Sequence, residues 1–360
     1  MRKNEFFFSK LIFFFLARVM ISIKDDEWQK KCRTRSFPQL PSQTLAQISP
    51  NQNFVVCSKS NTTNNLYICN VTSARSGGLK TIACDTSSLA CAWSPHSTMI
   101  IAHVLHREMC DVEHGVQLWR VDEHGNPTKM LKRSVAVCSR RICALEWSPD
   151  GRYVAIACCN GMLRLFSFVS HQKKTWHLSG IAFENEKEEE TDRWYCLAWS
   201  ADGTRLVSGS SLGSVRLWTI SKDGELVPGS SFGRHNYLSV RGVAWSPNSK
   251  QIMTRGDVNM FKVSIDVWDL DENGNVPGMF SDKTICQQTH IFSGIDAAWS
   301  PDGKSIFCIS SMRGQILGYD AKTSNLVFSY LIDSYCHSDQ QHLRFLNDCQ
   351  IFANSRIITI

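Results

Sequence analysis

The sequence predicts an all-β fold, a seven-bladed β-propeller of four-stranded antiparallel blades. A Trp-Ser turn motif recurs along the chain, with its tryptophan at Trp93, Trp147, Trp199, Trp245 and Trp299. Each copy is followed by two β-rich segments, and the second of these ends in an aromatic residue. The copies are 46 to 54 residues apart, a period that favours propeller blades over a helical solenoid. Because a single β-meander cannot bury both of its faces, the copies are expected to pack against one another.

The copy at 198–218, AWSADGTRLVSGSSLGSVRLW, is the clearest unit. Asp202-Gly203 is a hairpin turn signal, since glycine accepts a positive φ without cost. The turn precedes two predicted strands, Leu206–Ser210 and Val215–Trp218. Two weaker copies flank the five strong ones, with Ile48 and Phe345 at the anchor position. The repeat therefore predicts seven units.

The W-S-P-D-G turn, followed about nineteen residues later by an R-L-W or V-W-D ending, resembles the WD40 family. The resemblance implies seven four-stranded blades around a central channel. Only Trp268-Asp269 is a literal Trp-Asp pair, so the family's Trp/Ser/His/Asp hydrogen bonds should be mostly missing and packing should stabilise the blades. TolB-like propellers share the turn but usually lack the R-L-W ending, and Kelch blades need paired glycines, which only Gly77-Gly78 supplies.

The resemblance also implies that the last blade is completed by a strand from the N-terminus. The candidate is Trp28–Phe37, whose polar and lysine-containing sequence suits an outer edge strand. The predicted organisation is an apolar N-terminal segment at 1–24 with no assigned role, followed by the WD40-like propeller at 25–360, with the closing strand inside 25–37.

Composition limits the compartment and the partners. The net charge is +6, and residues 1–43 hold nine Lys/Arg against four Asp/Glu. The propeller itself is therefore nearly neutral, which argues against specific nucleic-acid binding. The chain has 15 cysteines but no C-x-x-C pair. Such spacing favours reduced cysteines in strands, among them Cys158, Cys159 and Cys308, in a cytoplasmic protein.

The apolar segment at 6–23 is interrupted by Lys10 and Arg18. Its longest unbroken apolar run is too short to span a bilayer. A signal peptide, a membrane contact through 6–23 and a true start at Met20 remain alternatives, while the absence of any targeting role is favoured.

Three polar segments are predicted to be loops. The inserts at 106–115 and around 257–262 are expected to be long connections between the second and third strands of their blades. His103, His106 and His114 lie near Cys110 in the first insert, but the spacing matches no tetrahedral metal site. The acidic run ENEKEEETD at 184–192 is expected to be solvated and to lie on the binding face.

The sequence contains no catalytic motif, so no enzymatic activity, metal or cofactor is expected. The resemblance implies that residues four and six before each anchor, and twelve after it, line the channel mouth. The candidate partner-binding residues are Arg141, Arg193, Tyr195, Ser211, Ser239, Arg241, Asp257 and Ser311. Arginine and tyrosine on consecutive blades are typical of a recognition hot spot.

The predicted function is a non-catalytic scaffold that binds a protein or peptide through the channel-mouth face. A carboxylate-rich partner is favoured by the arginines, and the protein is expected to be a monomer or a subunit of a larger complex. The alternative is a TolB-like or lactonase-type propeller with a small-molecule or hydrolytic function.

Overall fold

The structure is a computed structural model of the chain. It describes residues 33–36, 46–58, 65–71, 80–83, 90–108, 111–131, 135–168, 176–183, 193–233, 238–259, 262–278, 283–289, 296–310, 315–331, 343–347, 350–353 and 356–359. These residues form 29 β-strands. The strands are arranged in seven sheets in which neighbouring strands are antiparallel.

The sheets follow one another along the chain. Sheet 1 contains β2 (Ala46–Ile48), β3 (Phe54–Ser58), β4 (Asn65–Asn70) and β5 (Lys80–Ala83). Sheet 2 contains β6 (Cys91–Trp93), β7 (Met99–Glu108), β8 (Asp111–Val121), β9 (Pro127–Lys129) and β10 (Val135–Cys138). Sheet 3 contains β11 (Ile142–Trp147), β12 (Tyr153–Cys158), β13 (Met162–Phe168) and β14 (Trp176–Phe183). Sheet 4 contains β15 (Trp194–Trp199), β16 (Arg205–Ser210), β17 (Val215–Ile220) and β18 (Leu226–Phe232).

The remaining strands form three more sheets. Sheet 5 contains β19 (Ser239–Trp245), β20 (Gln251–Asn259), β21 (Lys262–Asp269) and β22 (Lys283–Thr289). Sheet 6 contains β23 (Asp296–Trp299), β24 (Ser305–Ser310), β25 (Gln315–Asp320) and β26 (Leu326–Leu331). Sheet 7 contains β27 (Leu343–Asn347), β28 (Gln350–Ala353) and β29 (Arg356–Thr359), and β1 (Arg33–Ser36) is its fourth strand.

The turn after each anchor is fastened by its own side chains. In sheet 3, Ser148 Oγ donates to Asp150 Oδ1 (2.6 Å) and accepts from the backbone N–H of Tyr153 (2.9 Å). The fourth turn residue has a positive φ, as in Gly151 (71°) and Gly203 (68°). Glycine occupies this conformation without strain. The turn motif therefore determines where the first strand of such a sheet ends and the second begins.

Successive sheets are joined by indole hydrogen bonds as well as by packing. The anchor Trp93 donates to Gln47 O (3.4 Å), Trp199 to Glu146 O (3.3 Å) and Trp245 to Ala198 O (3.1 Å). Each acceptor lies just before the anchor residue of the preceding sheet. These three anchor tryptophans therefore stabilise the contact between sheets in addition to their own sheets.

Apolar clusters fill the spaces between sheets. One cluster packs Val207 and Trp268 of sheets 4 and 5 together, and another packs Met253 of sheet 5 against Trp299 of sheet 6. Ile309 of sheet 6 packs in turn with Ile351 of sheet 7. The prediction of an all-β propeller fold with four-stranded antiparallel sheets is confirmed, except that sheet 2 has β9 as a fifth strand. Closure into a ring of seven blades stays a prediction.

Part of the intrablade hydrogen bonding predicted to be missing is present. Trp218 Nε1 donates to Ser208 Oγ, and Trp268 Nε1 donates to Thr254 Oγ1, both at 2.8 Å and both buried. In sheet 5 the fully buried Asp266 accepts from Thr284 Oγ1 (2.7 Å). Polar contacts therefore supplement packing in sheets 4 and 5. They were not predicted because the accepting hydroxyl lies on the second strand, outside the repeat motif.

The strand β1 lies beside the last strand of the described chain. Arg33 pairs with Thr359 and Ser36 with Arg356 in an antiparallel ladder. This strand falls inside the predicted closing segment 25–37, whereas the other residues of that segment and the apolar residues 1–24 lie outside the described residues. Sheet 7 is therefore assembled from two segments far apart in the sequence.

The prediction of two long loops is wrong. The insert at 106–115 continues the β7–β8 hairpin, with Glu108 paired to Asp111. The insert around 257–262 likewise extends β20 and β21, with Asn259 paired to Lys262. Polar composition suggested loops, but a hairpin projecting beyond its sheet has both faces open to solvent and needs no apolar alternation.

No helix in the described part of the chain is long and apolar enough to cross a membrane. Within the same residues, no group of three or more His, Cys, Asp or Glu side chains is placed to hold a metal ion.

Candidate functional site

Sheets 3, 4 and 5 share a bulge near the start of their first strand. The strand register shifts between Ile142 and Ala144, between Trp194 and Cys196, and between Val240 and Gly242. The extra residues are Cys143, Tyr195 and Arg241. A bulge residue is left out of the ladder and can be re-aimed, so all three sheets present a side chain at the same end.

Each bulge lies beside the end of the second strand of its sheet. In sheet 5, Ser239 Oγ donates to Asp257 Oδ2 (2.8 Å), and Arg241 Nε donates to the same oxygen (3.0 Å). In sheet 4, the backbone N–H of Arg193 donates to Ser211 Oγ (2.9 Å). Arg193 and Ser239 lie six residues before the anchors of their sheets, and Arg241 lies four before its anchor. Ser211 and Asp257 lie twelve residues after the anchors.

The sequence-predicted residues meet across the sheets. The guanidinium of Arg241 lies over the Tyr195 ring, 4.9 Å from its centroid, which is a cation–π distance. Arg141 and Arg193 both act electrostatically on the thiols of Cys143 and Cys159, so both arginines lie within electrostatic range of the same pair of thiols. We name as the arginine cluster the set Arg141, Arg193, Tyr195, Ser211, Ser239, Arg241 and Asp257.

The three arginines differ in how they are engaged. All three are exposed, but Arg241 forms an ion pair with Asp257 whose side chains are 51% and 29% exposed. Such a half-exposed pair contributes little to stability, yet it positions the guanidinium and offsets its charge. Arg141 and Arg193 therefore supply most of the uncompensated positive charge of the cluster.

Two exposed leucines lie in the same region. Leu212, next to Ser211, is 65% exposed, and Leu238, next to Ser239, is 57% exposed. The backbone N–H of Leu238 donates to Asp257 O (2.7 Å), which places it at the edge of the cluster. The surface thus combines guanidinium groups with apolar side chains.

Comparison with known proteins identifies the repeats. The family model "WD domain, G-beta repeat" matches residues 131–167 and 188–219, which include the first strands of sheets 3 and 4. The chain contains WD40 repeats. It is 29% identical over 210 residues to the SIR4-interacting protein SIF2 of Saccharomyces cerevisiae, covering 53% of this chain and 37% of that protein.

Other WD40 relatives match shorter stretches. The WD repeat-containing protein 26 homolog of Arabidopsis thaliana is 30% identical over 120 residues, 33% of this chain and 18% of that protein. The anaphase-promoting complex subunit cdc20 of Dictyostelium discoideum is 24% identical over 147 residues, 32% of this chain and 29% of that protein. The matches thus span less than half the length of these relatives.

A solved structure shares the fold. A chain in the crystal structure of a mitotic checkpoint complex superposes with a TM-score of 0.61 at 17% identity, covering 91% of this chain and 92% of that chain. At this identity the likeness supports the WD40 propeller fold of the present chain and nothing about its partners.

One predicted site residue is not among the residues that the structure describes. Ser311 lies outside the described residues, as does the acidic run at 184–192. Trp194, which lies between the site positions Arg193 and Tyr195, is fully buried and its indole donates to Gly161 O (3.0 Å).

The structure adds Cys159 to the residues expected at this site. It was predicted to be a strand residue and lies instead in the turn after β12, partly exposed. Its backbone N–H donates to Arg141 O (2.9 Å). Its position twelve residues after Trp147 is equivalent to Ser211 and Asp257, so the repeat frame alone could have found it.

A histidine pair borders the cluster on sheet 2. His103 Nε2 and His114 Nδ1 are 2.8 Å apart, and the two rings stack with centroids 5.0 Å apart. Burial, followed by the positive charge of Arg141, lowers the pKa of His114. The neutral imidazole is therefore favoured at neutral pH, and one ring nitrogen can donate to the other.

Proposed function

We propose that this WD40 protein is a non-catalytic scaffold that binds a protein or peptide segment rich in carboxylates through the arginine cluster. The observation that supports the proposal comes from three successive sheets: Arg241 lies over the Tyr195 ring, and Arg141 and Arg193 both lie within electrostatic range of Cys159. Planar guanidinium groups bind carboxylates in two-point fashion.

The relatives support a binding role. One is named for its interaction with SIR4 and another as a subunit of the anaphase-promoting complex. The match to the WD40 family model favours this function over a TolB-like or lactonase-type propeller. The proposal has four further parts. The protein has no enzymatic activity and no specific nucleic-acid binding, it is located in the cytoplasm, and it is a monomer or a subunit of a larger complex.

The roles of the cluster residues follow from their contacts. Arg141 and Arg193 bind the ligand carboxylates, because Asp257 already accepts from Arg241. Tyr195 and the stacked Arg241 form a flat floor for the ligand backbone. The exposed Leu212 and Leu238 contact apolar ligand side chains, which adds affinity that salt does not screen.

The acidic run at 184–192 competes for the same surface in this proposal. It holds six acidic residues and ends directly before Arg193. Replacing Glu188, Glu189 and Glu190 with Ser should therefore tighten binding of an external acidic peptide, most clearly at low salt, where screening is weakest.

The test is calorimetric titration with an acidic, leucine-containing peptide and with its lysine-substituted counterpart. Arg193→Ala should weaken binding of the acidic peptide by about 0.5–2 kcal/mol, and Arg141→Ala by a similar amount. Asp257→Asn should tighten it, because Arg241 loses its carboxylate partner. The matched control is Arg120→Ala, at an exposed arginine of sheet 2, which should leave affinity unchanged. Equal binding of both peptides would refute the proposal. So would a loss of affinity in the control Arg120→Ala equal to that in Arg141→Ala and Arg193→Ala.

A further inference from the structure

Two cysteines at the edge of the arginine cluster form a close pair of thiols. The Sγ atoms of Cys143 and Cys159 are 2.6 Å apart, and both residues are partly exposed. A disulfide bond is about 2.05 Å long, so only a small movement is needed to form one. The bulge of β11 carries Cys143 and the turn after β12 carries Cys159, and the hydrogen bond from Cys159 N to Arg141 O (2.9 Å) holds the two segments together.

A second pair of cysteines lies beside the first and joins two sheets, with Cys138 on β10 of sheet 2 and Cys158 on β12 of sheet 3. The Sγ atoms of Cys138 and Cys158 are 2.7 Å apart, but these residues are only 8% and 0% exposed. The hydrogen bond between the two thiols lowers the pKa of Cys138. This pair therefore resembles the first in acidity and proximity and differs from it in access to solvent.

The surroundings of Cys159 favour its thiolate. Either thiol can donate in the Cys143–Cys159 hydrogen bond. This hydrogen bond and the positive charges of Arg141 and Arg193 favour the thiolate of Cys159. Together they outweigh desolvation and lower the pKa of Cys159 to about 6. The same hydrogen bond and burial raise the pKa of Cys143. One thiol is thus the nucleophile and the other keeps its proton, and the arginines attract anionic reagents.

We propose that Cys159 is a modification site for anionic low-molecular-weight disulfides of the glutathione type, and that Cys143 is its resolving thiol. The Cys159 thiolate attacks one sulfur of the disulfide, which forms a mixed disulfide and expels one thiolate. Cys143 then loses its proton and attacks the Cys159 sulfur, which expels the second thiolate. The two protein thiols are oxidised to one disulfide, and the reagent is reduced to two thiols. This site does not depend on the proposed binding function.

The experiment treats the full chain with glutathione disulfide, blocks remaining thiols and maps the tryptic peptides. Trypsin separates Cys143 (142–152), the Cys158/Cys159 peptide (153–164) and Cys138 (134–140). The expected product links 142–152 to 153–164. In Cys143→Ser, glutathione should instead stay attached to Cys159. A predominant link from 134–140 to 153–164, or no reaction of 153–164, would overturn the proposal.

Two further measurements keep the result independent of variant folding. In the wild-type chain, the rate of loss of the Cys159 thiol should rise with pH around a midpoint near 6, well below an ordinary cysteine at about 8.5. Glutathione disulfide should react faster than the cationic disulfide cystamine, and Arg193→Gln should reduce that preference by about threefold to tenfold. Arg120→Gln is the matched control and should preserve it. An ordinary midpoint, or no preference for the anionic reagent, would contradict the site.

Discussion

At the scale of single residues, the turns show how the chain uses serine where it lacks glycine. Ser249 and Ser97 have φ of 54° and 59°, in the position that Gly151 and Gly203 occupy in other sheets. Their hydroxyls accept backbone N–H groups from the turn of the preceding sheet: Ala201 N to Ser249 Oγ is 2.9 Å and Asn51 N to Ser97 Oγ is 2.8 Å. At both serines, a hydrogen bond between sheets therefore offsets the strain of the positive φ.

Substitutions at Ser249 should separate these two effects. Ser249→Ala keeps the strained backbone and loses the acceptor, so we expect the free energy of unfolding to fall by about 1–2 kcal/mol. Ser249→Gly loses the same acceptor but relieves the strain, so its effect should be about 0.5 kcal/mol or less. Urea unfolding of both variants measures the difference. Equal losses of stability would show that the left-handed conformation costs nothing here.

At the scale of elements, the sequence predicted strand ends better than hairpin lengths. Trp147 pairs with Val154 and Trp245 with Ile252, so the anchor ends the first strand as the motif implied. The anchor of the last unit differs, because Phe345 pairs with Ile351 and its strand runs on to Asn347. Anchors are predictable because an apolar ring must be buried at a fixed place. Polar hairpin extensions carry no such constraint.

The candidate site was predictable as a set of positions but not as chemistry. The repeat frame placed Arg141, Arg193 and Arg241 at one end of three sheets, and in the structure each of them lies at or just before the start of the first strand of its sheet. The repeat frame could not show that Asp257 accepts a hydrogen bond from Arg241 or that Cys143 contacts Cys159. Both contacts depend on the bulge, which changes side-chain direction without any local sequence signal such as glycine.

The closing strand provides a test at the same scale. Deleting residues 1–37 removes β1 and exposes the backbone groups of β29, so the melting temperature should fall and aggregation should increase. Deleting residues 1–24 keeps β1 and is the matched control, with an expected melting temperature close to that of the full chain. Thermal unfolding and light scattering measure both. Indistinguishable melting curves for the two truncations would contradict a stabilising role for β1.

At the scale of the whole molecule, positive charge is distributed unevenly. Residues 1–24 contain five Lys/Arg and one Glu, so they account for four units of the net charge of +6. Two electrostatic explanations of acidic-peptide binding are therefore possible: attraction by the whole chain, or local pairing at the arginine cluster. Exposed charges separated by more than about 10 Å are largely screened at 0.1 M salt, which favours local pairing.

Truncation and point substitution distinguish the two explanations. Deleting residues 1–24 should leave the affinity for an acidic peptide nearly unchanged at 0.15 M salt, whereas Arg193→Ala should lower it. Fluorescence anisotropy titrations over a series of NaCl concentrations provide the measurement. A truncation that weakens binding as much as Arg193→Ala would assign the attraction to the overall charge.

The pairing of β1 with β29 also determines how the molecule responds to tension. The ladder is antiparallel, and Arg33 faces Thr359, so the chain enters and leaves this pair at the same end. A force pulling these two ends apart would therefore load the hydrogen bonds one after another, as in a zipper, and not all together in shear. We therefore expect the β1–β29 pair to separate at a lower force than a pair of strands loaded in shear.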